Sequence, residues 1–97
     1  MTRGTLDEAA IGAGLRGLPR WRREGDELVR DHQDQTVLGA VEIIVHIADI
    51  AEEHNHHPDL RWVYNRLTIR FTTHDVGGLS DLDFRLAREV EELLEAR

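Results

Sequence analysis

The chain of 97 residues contains no cysteine and no lysine, so all twelve of its basic residues are arginine. Without cysteine there can be no disulfide and no thiolate metal site, a composition that fits a reducing compartment. Without lysine there is no Schiff-base chemistry and no P-loop capture of phosphate. The exclusive use of arginine reads as a base-composition bias of the genome rather than as mechanism. Aromatic residues are scarce too: two tryptophans, two phenylalanines and one tyrosine. Positive charge is in the minority, at a formal net charge of −7. Phosphate backbones and anionic membrane surfaces are bound through basic patches, so neither nucleic acid nor membrane is an expected partner. A neutral or heterocyclic small molecule, or another protein, stays open. The most apolar stretch, "VLGAVEIIVHIADIA" at 37–51, is interrupted by Glu42, His46 and Asp49. It is shorter than the roughly 20 apolar residues of a membrane span. The opening "MTRGTLDEAA" lacks the apolar run of a signal peptide. The expectation is one cytoplasmic domain over residues 1–97, with 40% hydrophobic residues supplying a modest core.

Glycines, prolines and Asp/Asn clusters divide the chain into elements. Residues 6–16 carry Leu6, Ala9, Ala10, Ala13 and Leu15 at helical spacing, with Asp7 and Glu8 where the helix dipole favours acids. Gly12 and Gly14 weaken that helix by about 1 kcal/mol each, and Gly17 and Pro19 end it. "PRWRREGDELVRDHQ" reads as two short strands around a Glu24-Gly25-Asp26 turn. Asp34 or Thr36 then caps a central helix running to about Glu53. Its apolar residues form one stripe (Val37, Val41, Ile44, Ala48, Ala51) and also cover much of the rest (Leu38, Ile43, Val45, Ile47, Ile50). That exceeds what one sheet face can cover, which points to a helix–helix contact between subunits.

"LRWVYNRLTIRFTTHD" reads as a hairpin, with Trp62 and Tyr64 on one face and a turn at Asn65-Arg66. In its second strand Leu67, Ile69 and Phe71 alternate with Thr68, Arg70 and Thr72, so one face is buried. "HDVGGL" is a loop, and Ser80 caps a last helix bearing Leu82, Leu86, Val90 and Leu93. The predicted class is α+β: a four-stranded antiparallel sheet with three helices on one face, in the order α-β-β-α-β-β-α.

Three places gather titratable or turn-forming residues: Glu52 to Pro58, His74-Asp75, and Gly77 to Asp83. Each also has a purely structural reading. The histidines can close a helix C-terminus, where positive charge is favoured by up to about 1 kcal/mol; for His54 that reading is preferred. Pro58 can be a helix stop, and Arg70 a solvated strand residue. Ser80-x-x-Asp83 fits a capping box, and Gly77-Gly78 fits a turn needing positive φ. Metal binding ranks below proton transfer, because His-x-His-His after Glu52 is not the His-Glu-x-x-His pattern that sets two ligands on one helical face. Imidazole titrates near neutrality and suits acid/base work. With no cysteine, lysine or strand-to-helix serine elbow as nucleophile, dehydration or isomerisation without a covalent intermediate is the natural class.

Glu52, three residues, then His56-His57-Pro58, an aromatic six residues on at Tyr64, His74 ten further, and Asp83 form one pattern. In this pattern, and in "NHHPD" (55–59) and "THDVGGLSDLDF" (73–84), the chain resembles the pterin-4a-carbinolamine dehydratases. The motifs span about a third of the chain, and the order of elements extends the likeness over nearly all of it. The resemblance implies removal of water from 4a-hydroxytetrahydropterin to give the quinonoid dihydropterin, which recycles the pterin of aromatic amino acid hydroxylases. It assigns proton transfer to His56 and His74, with His57 positioning the pterin and sharing that work. Glu52, Pro58, Asp75 and Asp83 would orient histidines or bind the substrate. It implies no cofactor and no metal, and a homodimer or homotetramer joined by helices. It also admits an alternative, a protein-interaction module using the same helical surface. The stretch "LVRDHQDQTVLGAV" departs from the family pattern in having no aromatic residue.

Overall fold

A computed structural model describes residues 4–97. Helix α1 (Glu8–Arg16) is followed by β1 (Arg22–Glu24), β2 (Glu27–Gln33), α2 (Val37–His54), β3 (Asp59–Val63), β4 (Arg66–Phe71) and α3 (Asp81–Glu95). The strands make one antiparallel sheet in the order β1-β2-β4-β3. This is the expected chain order and the expected α+β class. The loop expected after β4 contains one short 3₁₀ turn, His74–Val76.

The alternation in β4 decides which face is covered. Leu67, Ile69 and Phe71 are buried there, and Phe71 stands opposite Leu28 of β2. The helices close over them with Ile11 from α1, Ala40, Ile43 and Ile47 from α2, and Leu86, Ala87 and Val90 from α3. Each fully buried aliphatic or phenylalanine side chain contributes about 1.5–3 kcal/mol.

Two apolar rows of α2 satisfy helical spacing, and the structure decides which of them is buried. Gly39, Ala40, Ile43, Ile47 and Ala51 face the core. Of the stripe Val37, Val41, Ile44, Ala48 and Ala51, only Ala51 is buried. Val37, Leu38 and Val45 are 42%, 76% and 55% exposed, so the surplus apolar surface of this helix is real.

The β3–β4 turn also falls one residue earlier than expected. Val63 pairs with Arg66, so the connecting residues are Tyr64 and Asn65. The positive φ is at Tyr64 (+54°), which is 78% exposed. The Trp62 indole N–H donates to the Tyr64 carbonyl, while Asn65 is occupied elsewhere: its side-chain amide donates to the Asp34 carbonyl at 2.7 Å. Nor is Arg70 merely solvated, since its guanidinium bonds Glu24 and Glu27 at 3.0 and 3.1 Å.

Gly14 serves packing rather than merely weakening α1. A Cβ there would come within 2.4 Å of the Phe84 ring, which is itself buried in the core. Gly14→Ala is therefore expected to destabilise the protein by about 1–3 kcal/mol through overpacking, outweighing the roughly 1 kcal/mol gain in helix propensity. Urea unfolding checks this; an unchanged or raised midpoint would mean that the ring can yield.

Asp34 joins three elements. Arg97 donates to both of its carboxylate oxygens at 3.1 Å, and His32 Nε2 lies 3.1 Å from Oδ1. Its own N–H donates to the Asn65 carbonyl, while Thr36 caps α2 by accepting from the Gly39 N–H. The Arg97 hydrogen bonds, then that of His32, pull the Asp34 carboxyl down to about 2. A depressed carboxylate adds stability above its unfolded value, near 4, and loses it as pH falls through its folded value. Stability is thus expected to drop between about pH 4 and pH 2, by about 1 kcal/mol after allowance for solvent screening. Unfolding midpoints of the wild type and Asp34→Asn at pH 5 and pH 2.5 measure it. Equal pH slopes in the two proteins would contradict this role.

Candidate active site

The end of α2 sets up the site. Asn55 takes a left-handed conformation (φ +49°) just past the helix. Its N–H donates to the Glu52 carbonyl, and the His56 N–H donates back to Ala51. This is a Schellman closure, which tolerates asparagine at the left-handed position. It turns His56 inward, where the residue is 9% exposed and its ring stacks on Phe71, with centroids 6.1 Å apart and planes 10° apart.

The start of α3 supplies the partner. Asp83 is fully buried. Its Oδ1 lies 2.6 Å from His56 Nε2. Its Oδ2 accepts from the Ser80 N–H at 2.9 Å and from the Thr73 hydroxyl at 2.7 Å. The Thr73 hydroxyl also meets the Ser80 hydroxyl at 2.7 Å. The capping-box reading of Ser80 and Asp83 is therefore correct, but Asp83 does more than cap: its second oxygen reaches a residue 27 positions earlier.

The other candidates flank these residues in the chain. His57 is exposed and bonds Glu52 across 2.5 Å, both side chains being in solvent. Pro58 is half-buried and leads directly into β3. His74 and Asp75 are exposed on the 3₁₀ turn, next in sequence to the buried Thr73. The Thr73–Gly78 bridge folds that turn back toward α3. Hence the "EEHNHHPD" and "THD" segments share one end of the fold. Tyr64 does not share it, because β3 runs from Asp59 beside the histidines to the opposite tip of the hairpin.

His54 is more than a helix-end charge. Its Nε2 lies 2.8 Å from Glu89 and ties α2 to α3. Among the described residues, no group of three or more His, Asp or Glu side chains is placed to hold a metal ion. A hollow of about 590 Å³ lies elsewhere, on the outer sheet face, bordered by Asp31, Arg61, Arg66 and Thr68. Sequence reasoning missed Thr73 as a partner of Asp83 and Phe71 as the platform under His56. Only the closeness of Thr73 to His74 hinted at the first. Among the described residues no helix is long and apolar enough to cross a membrane.

The arrangement offers a buried carboxylate–imidazole pair, with an exposed histidine on each segment leading into it: His57, bonded to Glu52, and His74, next in sequence to Thr73. Such a set can hold, give and take protons. Residues 4–93 match the family model described as pterin 4 alpha carbinolamine dehydratase. A protein of Thermomicrobium roseum, provisionally named pterin-4-alpha-carbinolamine dehydratase, is 41% identical over 91% of this chain and 95% of its own. One from Nocardia farcinica with the same provisional name is 37% identical over 96% and 98%. A crystal structure of a "transcriptional coactivator/pterin dehydratase" from Brucella melitensis superposes with a TM-score of 0.91 at 26% identity, covering 94% of this chain and 99% of that one.

Proposed function

We propose a function from one premise: the chain belongs to the pterin-4-alpha-carbinolamine dehydratase family. The protein removes water from a 4a-hydroxytetrahydropterin, giving the quinonoid dihydropterin in tetrahydrobiopterin recycling. The buried His56–Asp83 pair carries this reading. In the reaction the C4a–O bond breaks, the hydroxyl leaves as water after taking up a proton, and N5 gives up its own. One group must donate and one accept, each contributing about 10²–10⁴-fold.

His56 and His74 are the proton-transfer residues in this scheme. A carboxylate only accepts hydrogen bonds, so the His56 Nε2–H donates to Asp83 and Nδ1 is the nitrogen left to exchange protons with substrate. His57, oriented by Glu52, holds the pterin and shares the transfer. Pro58 fixes the histidine segment where it enters β3, and Asp75 contacts the polar edge of the ring. Neither cofactor nor metal is required, and the cytoplasm is the proposed location. The decisive assay follows dehydration of a 4a-carbinolamine spectrophotometrically. Acceleration proportional to protein is expected; the uncatalysed rate alone would overturn the proposal.

A second reading draws on a different observation. The row of Val37, Leu38 and Val45 on α2 is an exposed apolar face. In the dehydratase reading a second copy covers it, giving a dimer or tetramer. The Brucella protein is described as a transcriptional coactivator as well as a pterin dehydratase, which supports a coactivator-like interaction module. A monomer in sedimentation that captures a distinct protein through this face would favour the module. A self-assembled oligomer losing its size on Leu38→Glu would favour the enzyme's own assembly.

A further inference from the structure

The hydroxyls around Asp83 fix more than a helix start. Asp83 Oδ2 has two donors, the Ser80 N–H and the Thr73 hydroxyl. Thr73 has a single hydroxyl proton, and it donates that proton to Asp83 Oδ2. The Ser80 hydroxyl, 2.7 Å from Thr73 Oγ1, must then donate to Thr73 rather than receive from it. The direction of the chain is set: Ser80 to Thr73 to Asp83. Thr73, Ser80 and Asp83 are 1%, 0% and 0% exposed, so water does not compete for these bonds. With Oδ2 doubly occupied, Oδ1 is the oxygen presented to His56 Nε2 at 2.6 Å. The Phe71 stack holds the plane of the ring while this happens. Of the two ring nitrogens of His56, it is Nε2 that engages Asp83, which leaves Nδ1 on the other side of the ring.

We propose that Thr73 is a positioning residue, which with Ser80 orients the Asp83 carboxylate so that His56 is locked as the Nε2–H tautomer with Nδ1 open to substrate. The proposal rests on the dehydratase reading for its consequence in catalysis, but not for the tautomer itself. A donor missing from Oδ2 frees the carboxylate to rotate and the imidazole to exchange tautomers. Thr73 acts through Asp83 and His56 and touches no substrate.

The test pairs Thr73→Val, which keeps the shape and removes the hydroxyl, with Thr73→Ser, which restores it. Long-range ¹H–¹⁵N spectra of the imidazoles separate the two tautomers without any substrate. The wild type and Thr73→Ser are expected to give a single Nε2–H pattern for His56, and Thr73→Val a mixed one. In the dehydration assay Thr73→Val is expected to lose about tenfold in kcat, a loss of about 1.4 kcal/mol in transition-state stabilisation, with KM little changed. Thr73→Ser should recover most of it. A folded Thr73→Val with the wild-type tautomer pattern and wild-type kcat would overturn the proposal. Should Thr73→Val fail to fold, Ser80→Ala takes its place, since it withdraws the donor that commits the Thr73 proton. A single unchanged tautomer there would count equally against it. If the wild type shows no turnover yet the tautomer pattern shifts as described, the dehydratase reading falls and the positioning role stands.

Discussion

His56→Ala is expected to lower kcat/KM for carbinolamine dehydration by about 10²–10⁴, the range of one general acid–base group. The reason is local. His56 is a buried imidazole held by a carboxylate and an aromatic face, so its ring is kept in one orientation. Truncation to alanine also strands the Asp83 carboxylate with one unpaired oxygen in the core, at a cost of about 1–3 kcal/mol in stability. The control that separates the two effects is His56→Gln. Its amide can still donate to Asp83 but cannot shuttle a proton, so activity should fall while the unfolding midpoint stays near wild type. His74→Ala should also lose most of the activity, with little change in stability because the side chain is exposed. His56→Gln at wild-type rate would remove His56 from the chemistry.

The largest expected effect on stability lies away from the histidines. Arg30 of β2 and Glu91 of α3 are 5% and 7% exposed, and their side chains meet at 2.9 Å. The Trp21 indole N–H donates to the same Glu91 oxygen at 2.9 Å. Burial pushes the Glu91 carboxyl up, yet the Arg30 and Trp21 hydrogen bonds and the Arg30 charge together outweigh it and hold the group below its usual value. Glu91→Ala would leave a guanidinium in the core without its carboxylate, a defect of about 3–5 kcal/mol. For a domain of this size that corresponds to a fall in Tm of more than about 10 °C. Replacing both partners with apolar residues, as in Arg30→Met with Glu91→Leu, should recover much of the loss, because a buried pair removed whole takes its desolvation penalty with it. Thermal unfolding of the single and double variants decides between a structural pair and an idle one. A Glu91→Ala midpoint within a degree or two of wild type would show the pair to be idle.

The residues that are legible in the sequence share a physical trait: their partners are near in the chain or their pattern is periodic. Leu67, Ile69 and Phe71 alternate because β4 is covered on one face. Glu52 and His57 meet across the helix end, only five residues apart. The motif from Glu52 to Asp83 picks out His56 and Asp83, which the fold joins, and the fold class follows from element order. What stays hidden depends on contacts between distant segments. Asp83 reads as a capping residue until α3 is packed against the end of α2. Arg30 lies on the core side of β2, opposite Ile69, and looks like a polar strand residue until Glu91 arrives from 61 positions away. The two apolar rows of α2 cannot be ranked from spacing alone, since both satisfy it. Tyr64 reads as a strand residue because tyrosine favours strands and seldom takes positive φ; the two-residue loop between Val63 and Arg66 places it in the turn regardless.

A crystal of the protein soaked with a dihydropterin tests the central claim, that the His56–Asp83 pair is the proton-transfer centre. The expected result is the pterin ring at the end of the fold shared by His57 and His74, with its N5–C4a edge about 3 Å from His56 Nδ1 and the His56–Asp83 bond intact. A ring bound instead in the Arg61–Arg66 hollow of the outer sheet face, or lying beyond reach of all three histidines, would contradict it.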